Sequence, residues 1–206
     1  MNSKNLLLIF TRNPELGKCK TRLASKVGDG IALDIYKFLL NHTVTITENL
    51  SVKKEVYYSE QIWQDDIWDN TIYQKKIQEG NDLGERIDNA FKKGFAAGFE
   101  KIIVIGSDMF DLSEAAIENA FEQLHHSDAV VGPAEDGGYY LLGMNVYEPT
   151  IFKNKAWGTA SVLKDTLNDL KKYNVALLET KNDIDLYEDI KDIEAFSPFL
   201  KNIEII

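Results

Sequence analysis

Four stretches of the chain carry side chains suited to phosphate and metal chemistry. The first is FTRNPELGKCKTRLA, residues 10–24, where Pro14 and Gly17 shape a turn and Lys18, Lys20 and Arg22 follow it. Phosphates are recognised by backbone N–H groups at turns, supplemented by Lys and Arg. This loop is therefore a candidate anion cradle, although it lacks the G-x-x-x-x-G-K-[ST] spacing of a Walker loop. The second stretch, KIIVIGSDMFDL (101–112), sets Ser107, Asp108 and Asp111 just past a strongly apolar run. A carboxylate there can hold Mg²⁺ or Mn²⁺, hard cations that take oxygen ligands and bridge to phosphates. Asp108 is the candidate for that role, whereas Asp111 or Ser113 suits a cap on the next helix. The third, GPAEDGGYYLLG (132–143), holds Asp136 between two apolar runs, with Gly137 and Gly138 free to adopt φ > 0 and let a ligand approach the backbone. The fourth, KNDIDLYED (181–189), has Asp183 and Asp185 two apart. In an extended segment both face one side, as a two-carboxylate metal clamp requires. A cap on a last helix is the competing reading for Asp185.

Alternating strands and helices must position these groups. Strands are expected at Asn5–Thr11, Glu55–Ser59, Thr71–Gln78, Lys101–Gly106, Ala129–Gly132, Tyr139–Met144 and Val175–Glu179, from short apolar or β-branched runs. Apolar spacing of three or four predicts helices over Ile31–Leu50, Leu83–Phe99, Ala160–Lys172 and Asp185–Phe196. Ser113 caps a further helix running to about His125, Gln61–Asp69 reads as a short helix, and Arg12–Lys26 reads as loop. This alternation implies an α/β fold with a mostly parallel sheet covered on both faces. Ligands bind such sheets outside the carboxyl ends of the strands, where all four stretches begin. No repeat, low-complexity tract or linker interrupts the chain, so residues 1–206 are expected to form one domain.

Charge is uneven. Of 206 residues, 23 are Lys or Arg and 33 Asp or Glu, for a formal charge of −10. Residues 1–30 nevertheless hold six cations against Glu15 and Asp29, a net +4, which leaves −14 on the remaining 176 residues. So acidic a body repels nucleic acid. The longest apolar run, Leu6–Phe10, is too short to cross a membrane. One Cys excludes a disulfide framework and a Cys-rich zinc site. With no signal-peptide pattern at the N-terminus, a cytoplasmic protein is expected; nothing in the sequence speaks to oligomeric state. Cys19, whose thiolate Lys18 and Lys20 would favour, lacks an identifiable base and reads as a loop residue. His42, His125 and His126 lack metal-ligand spacing. Trp63 and Trp68 are expected to cover the sheet rather than form an exposed patch.

Taken in order, the motifs FTRNPELGKCKTRL (10–23), NDLGER (81–86), GSD (106–108), GPAEDGGYYLLG (132–143), WGT (157–159) and DID (183–185) resemble a bacterial family of unknown function described as GT-A-type glycosyltransferases, which includes radical-SAM/selenodomain-associated transferases. More distantly they are similar to 2-phospholactate and molybdenum-cofactor guanylyltransferases. The resemblance implies a three-layer nucleotide-diphospho-sugar transferase fold and nearly spans the chain. It places the nucleotide at Arg12, Gly17, Lys18, Lys20, Thr21, Arg22, Asp82, Leu83, Gly84 and Ser107, with Lys20 and Arg22 at the phosphates. It places Mg²⁺ or Mn²⁺ at Asp108, Asp183 and Asp185, and the acceptor at Asp136, Gly137 and Gly138. One departure is Phe110, which stands where the family usually has Pro.

The expected substrates are thus a nucleotide or nucleotide sugar and a small acceptor. Transfer between them needs charge neutralisation at phosphate oxygens more than a covalent residue. Lys20 and Arg22 would supply part of it, and Asp136 is the candidate base for an acceptor hydroxyl, or else an acceptor-binding group. Glycosyl transfer is the leading reading. Nucleotidyl transfer with pyrophosphate release is the alternative, since D-M-F-D (108–111) departs from the D-x-D of many GT-A enzymes; the L-A-G-G-type opening of many nucleotidyltransferases is absent too. A non-catalytic nucleotide-binding protein is the third reading.

Overall fold

The computed structural model describes residues 4–201. Seven strands form one sheet: β1 (Asn5–Thr11), β2 (Lys53–Tyr58), β3 (Tyr73–Ile77), β4 (Lys101–Gly106), β5 (Ala129–Pro133), β6 (Tyr139–Met144) and β7 (Val175–Leu177). Their order is β3-β2-β1-β4-β6-β5-β7. All run parallel except β6, which pairs antiparallel with both β4 and β5. Among the described residues, six helices, α1 (Thr21–Val27), α2 (Asp29–Thr47), α3 (Leu83–Ala96), α4 (Glu114–Gln123), α5 (Val162–Asp169) and α6 (Ser197–Leu200), complete the α/β architecture.

The sheet is covered on both faces because its central strands are apolar on both. Leu7 and Ile9 of β1 and Ile103 and Ile105 of β4 pack with Tyr36 and Leu40 of α2 and Ile117 and Phe121 of α4. The alternate residues Leu6, Leu8, Ile102 and Val104 pack with Ile87 and Phe91 of α3 on the other face. This period-two division of a fully buried strand is what a doubly covered sheet requires. Lys54 of β2, which is buried, donates from Nζ to the carbonyls of Glu48 and Leu50, just past the C-terminal end of α2. Burial holds its pKa below the ordinary lysine value. Among the described residues no helix is long and apolar enough to cross a membrane.

Three sequence expectations need correction. Residues 12–26 are not all loop: Leu23 and Val27, one helical turn apart, bury one side of α1. Gln61–Asp69 is irregular rather than helical. The Asp66 carboxylate fixes it, accepting from Tyr58 Oη, from Lys75 Nζ at 2.8 Å and from the Trp68 N–H at 3.0 Å. Trp68 is buried by this arrangement and Trp63 packs on the same core, so both cover the sheet. Residues 185–196 form two short 3₁₀ turns, Tyr187–Asp189 and Glu194–Phe196, in place of one α-helix. Tyr187, Ile190, Ile193 and Phe196 recur every three residues, the 3₁₀ period. Phe110, at the family's Pro position, joins an aromatic cluster with Phe38, His42 and Phe196.

Candidate active site

Order reverses between β1 and β4: from β1 the chain leads outward to β2 and β3, and from β4 to the other half of the sheet. Such a switch point opens a crevice beyond the carboxyl ends of the strands. Phe10 of β1 lies opposite Gly106 of β4, which brings the loop after each strand to that crevice.

The loop after β1 is held by hydrogen bonds on several sides. Asn13 is buried; its Nδ2 donates to the Gln61 carbonyl at 2.8 Å and its Oδ1 accepts from the N–H groups of Glu60 and Gln61. The Arg12 N–H donates to Tyr36 Oη at 2.9 Å, and Ser107 Oγ donates to Thr11 Oγ1 at 3.0 Å. Ser107 is 2% exposed, so its hydroxyl ties the two loops together. Burial, with the Asp108 charge adding to it, keeps the Tyr36 phenol protonated. Cys19 is buried and its Sγ donates to the Asn13 carbonyl. Burial pushes its pKa up, outweighing the neighbouring cations, so the thiolate expected from sequence is not favoured.

Lys20 is the hinge of the site. Its backbone adopts φ 49°, ψ 45°, the left-handed region rare for a non-glycine residue. Its Nζ lies 2.7 Å from Asp108 Oδ2 and 3.3 Å from Asp185 Oδ1, with only 4% of the side chain exposed. Burial opposes the ammonium charge, but the two carboxylates outweigh burial and hold the pKa above the ordinary value. Arg22, on the exposed side, pairs with Asp185 as well. Four of the five groups assigned from sequence to phosphates and metal, Lys20, Arg22, Asp108 and Asp185, thus come together as one alternating cluster.

Asp183 lies beside this cluster, close enough to feel the charges of Lys20 and Asp185. Ile184, between the two aspartates, is buried, and the chain bends there, so the same-side placement expected of a straight extended segment does not follow. Burial, and then repulsion from Asp185 and Asp136, pushes the Asp183 carboxyl up to about 6. Asp189 orders the segment by accepting from the N–H groups of Asp185 and Leu186. Among the described residues, no three His, Cys, Asp or Glu side chains form a ready metal-binding group.

Two cavities meet at this cluster, sharing Phe10, Leu83 and Asp108 in their walls. The larger, of about 500 Å³, is polar and presents Arg12, Lys18 and Arg86 with Asn13, Gln78 and Ser107. Gln78 bridges the strand ends by donating to the carbonyls of Thr11 and Tyr57. The smaller, of about 260 Å³, is walled by Phe10, Leu83, Ile87, Tyr139 and Trp157, and carries Asp136, Gly138 and Asp183. Glycines build it. A Cβ on Gly84 would sit 2.5 Å from both Trp157 Nε1 and the Phe152 carbonyl, so only glycine lets that segment close on α3. A Cβ on Gly137, which sits at φ 88°, would lie 2.4 Å from the Ala160 carbonyl, and the Gly137 carbonyl accepts from the Leu163 N–H at 2.9 Å. The DLG, DGG and WGT motifs therefore converge on one cavity.

Other assigned residues sit less centrally. Asp82 caps α3, accepting from the Glu85 N–H at 2.8 Å, and lines neither cavity. Gly17 takes φ 75° in the first loop, and Thr21 starts α1 at the surface. Lys18 pairs with Glu15 and Glu60. Sequence reading missed Asn13, Tyr36, Gln78 and Arg86. Asn13 and Arg86 belong to the quoted motifs and were within reach, whereas Tyr36 is one apolar-stripe position of α2 and Gln78 a strand end, with no local signal.

A nucleotide-diphospho-sugar transferase fold is what this arrangement defines, and the comparisons with known proteins agree on the fold. Residues 43–159 match a family described as "Uncharacterized protein conserved in bacteria (DUF2064)", and the chain belongs to that family. A candidate nucleotide-diphospho-sugar transferase from Desulfovibrio desulfuricans G20 superposes with a TM-score of 0.85 at 28% identity, over 97% of this chain and 94% of that one. A 4-diphosphocytidyl-2C-methyl-D-erythritol synthase has a TM-score of 0.60 at 16% identity, over 96% and 99% of the two chains. The 2-C-methyl-D-erythritol 4-phosphate cytidylyltransferase of Thermus thermophilus has a TM-score of 0.53 at 14% identity, over 93% and 98%. These last two share the fold. No curated protein matches the sequence.

Proposed function

We propose that the protein is a transferase that moves a sugar from a nucleotide-sugar donor to a small acceptor. One observation carries this reading: a cavity lined by Arg12, Lys18 and Arg86 and a cavity containing Asp136 meet at Asp108, at the switch point of the sheet. The polar cavity supplies cations and amide groups for phosphates and ribose, and the smaller one holds an acceptor beside the point of transfer. The similarity to the Desulfovibrio protein supports the same donor class.

Asp108, Asp183 and Asp185 would hold Mg²⁺ or Mn²⁺. All three offer hard oxygen donors, and the Lys20 ammonium bridging two of them shows that the spot favours positive charge. Such an ion supplies neutralisation of charge on the departing phosphate oxygens. The chain's own residues do the rest. Lys20 and Arg22 keep positive charge at the junction, where a leaving phosphate becomes more negative. Asp136 is exposed, its Oδ1 accepts from the Gly138 N–H at 2.8 Å, and it takes the proton of the acceptor hydroxyl. The network of Asn13, Tyr36 and Ser107 keeps the loop that carries the cations in place.

Nucleotidyl transfer remains the second reading, because the carboxylate paired through Lys20 with Asp108 comes from Asp185, and Asp111 of D-M-F-D is exposed. Incubation with sugar nucleotides and nucleoside triphosphates in Mn²⁺ separates the two: release of a nucleoside diphosphate is expected, and pyrophosphate release would favour the second. Calorimetry checks the metal. Asp108→Ala should abolish Mn²⁺-dependent nucleotide binding, and unchanged binding would sink the assignment.

A further inference from the structure

The two cavities differ in the charge they offer a ligand. The lining of the smaller one contains no Lys, Arg or His among the described residues, and its charged groups are Asp136, Asp183 and Asp108, the last of them paired with Lys20 from outside the lining. The rest of its wall is largely apolar, with Tyr139 and Trp157 packed edge to face at 6.5 Å between ring centres. That wall is built before any ligand arrives, because Gly84 and Gly137 let the 157–162 segment lock onto α3 and onto the loop before β6. Without metal, an anionic group entering it would lose water to apolar walls, find no cation in the lining, and face the Asp136 and Asp183 carboxylates. An apolar body would bury its surface against the rings.

We infer that the acceptor is a hydroxyl compound with an apolar body and no phosphate or carboxylate of its own. The word acceptor rests on the transferase reading above; the class of ligand rests on the cavity alone. Like-charge juxtaposition at close range is costly enough to separate otherwise matched ligands by tenfold or more.

Benzyl alcohol and benzyl phosphate, matched in their ring, test this on the full chain without nucleotide and with EDTA, by saturation-transfer NMR titration. Benzyl alcohol should bind, and benzyl phosphate should bind at least about tenfold more weakly. Leu83 is 45% exposed at the first position of α3, where an acidic residue is tolerated, so Leu83→Asp should fold and weaken benzyl alcohol. Asp136→Lys, at another exposed position, should narrow or reverse the preference. The inference is overturned if benzyl alcohol does not bind, if benzyl phosphate binds the native chain as tightly, or if Leu83→Asp leaves benzyl alcohol unaffected. Neither probe needs a nucleotide. Failure of nucleotide binding would therefore refute the transferase reading and leave this result standing, and the reverse holds too.

Discussion

The two sides of Asp108 are held in shape by different physics. The polar side is assembled from hydrogen bonds between loops: Asn13 to Gln61, Arg12 to Tyr36, Ser107 to Thr11 and Gln78 to two strand ends. The apolar side is assembled by close approach, with Gly84 and Gly137 admitting backbone and indole atoms at distances no side chain allows. A hydrogen-bonded wall tolerates changes of volume but not the loss of a partner. A close-packed wall tolerates loss of a polar group but not an added methyl. Asp108, with Phe10 and Leu83, belongs to both sides, and Lys20 pairs with it there.

That contrast can be broken most forcefully at the seam. Lys20→Met leaves Asp108 and Asp185 facing each other without their bridging ammonium. Loss of one partner of a buried ion pair costs about 3–5 kcal/mol. Because Asp108 is 42% exposed, the discounted loss is about 1–3 kcal/mol. Denaturant unfolding should show it, with part regained in Mn²⁺, since a ligand of the folded state stabilises it. No loss of stability would mean that the two carboxylates do not depend on Lys20.

Gly84→Ala probes the apolar side alone. Its methyl meets a backbone carbonyl and the indole of Trp157, and overpacking of this kind costs about 1–3 kcal/mol, more than alanine's helix preference returns. Benzyl alcohol binding should fall while nucleotide binding stays within about twofold, a split read from parallel titrations. Equal loss of both would show that the cavities are one mechanical unit.

The smallest effect is expected at Tyr139. Its hydroxyl is buried with no hydrogen-bond partner among the described residues, and burial holds the phenol protonated. Tyr139→Phe removes an unsatisfied polar atom and should raise stability slightly or leave it within about 1 kcal/mol in thermal melts. A larger loss would mean that a partner satisfies the hydroxyl.

Most of the sheet was legible because its strands carry their own signal. Asn5–Thr11, Lys101–Gly106 and Tyr139–Met144 are strands over the ranges read from sequence, since an apolar run bounded by polar residues marks a buried strand. Ser113 caps α4 as expected, accepting from the Ala116 N–H. Errors fell where the period was ambiguous, as in residues 185–196, or where a loop carried turn residues beside a short helix, as in Arg12–Lys26.

The sequence by itself determined the α/β alternation, the cationic loop after β1 and the carboxylates at the strand ends, because residue type and spacing along the chain carry those properties. Tertiary structure alone decided that Lys20 bridges Asp108 and Asp185, partners 88 and 165 residues away. It also decided that Cys19 is buried, that Asp82 caps a helix, and that three separate glycine motifs wall one apolar cavity. Charge pairing, burial and close approach depend on distances between parts of the chain that local pattern does not encode, and the order of strands in the sheet sets those distances.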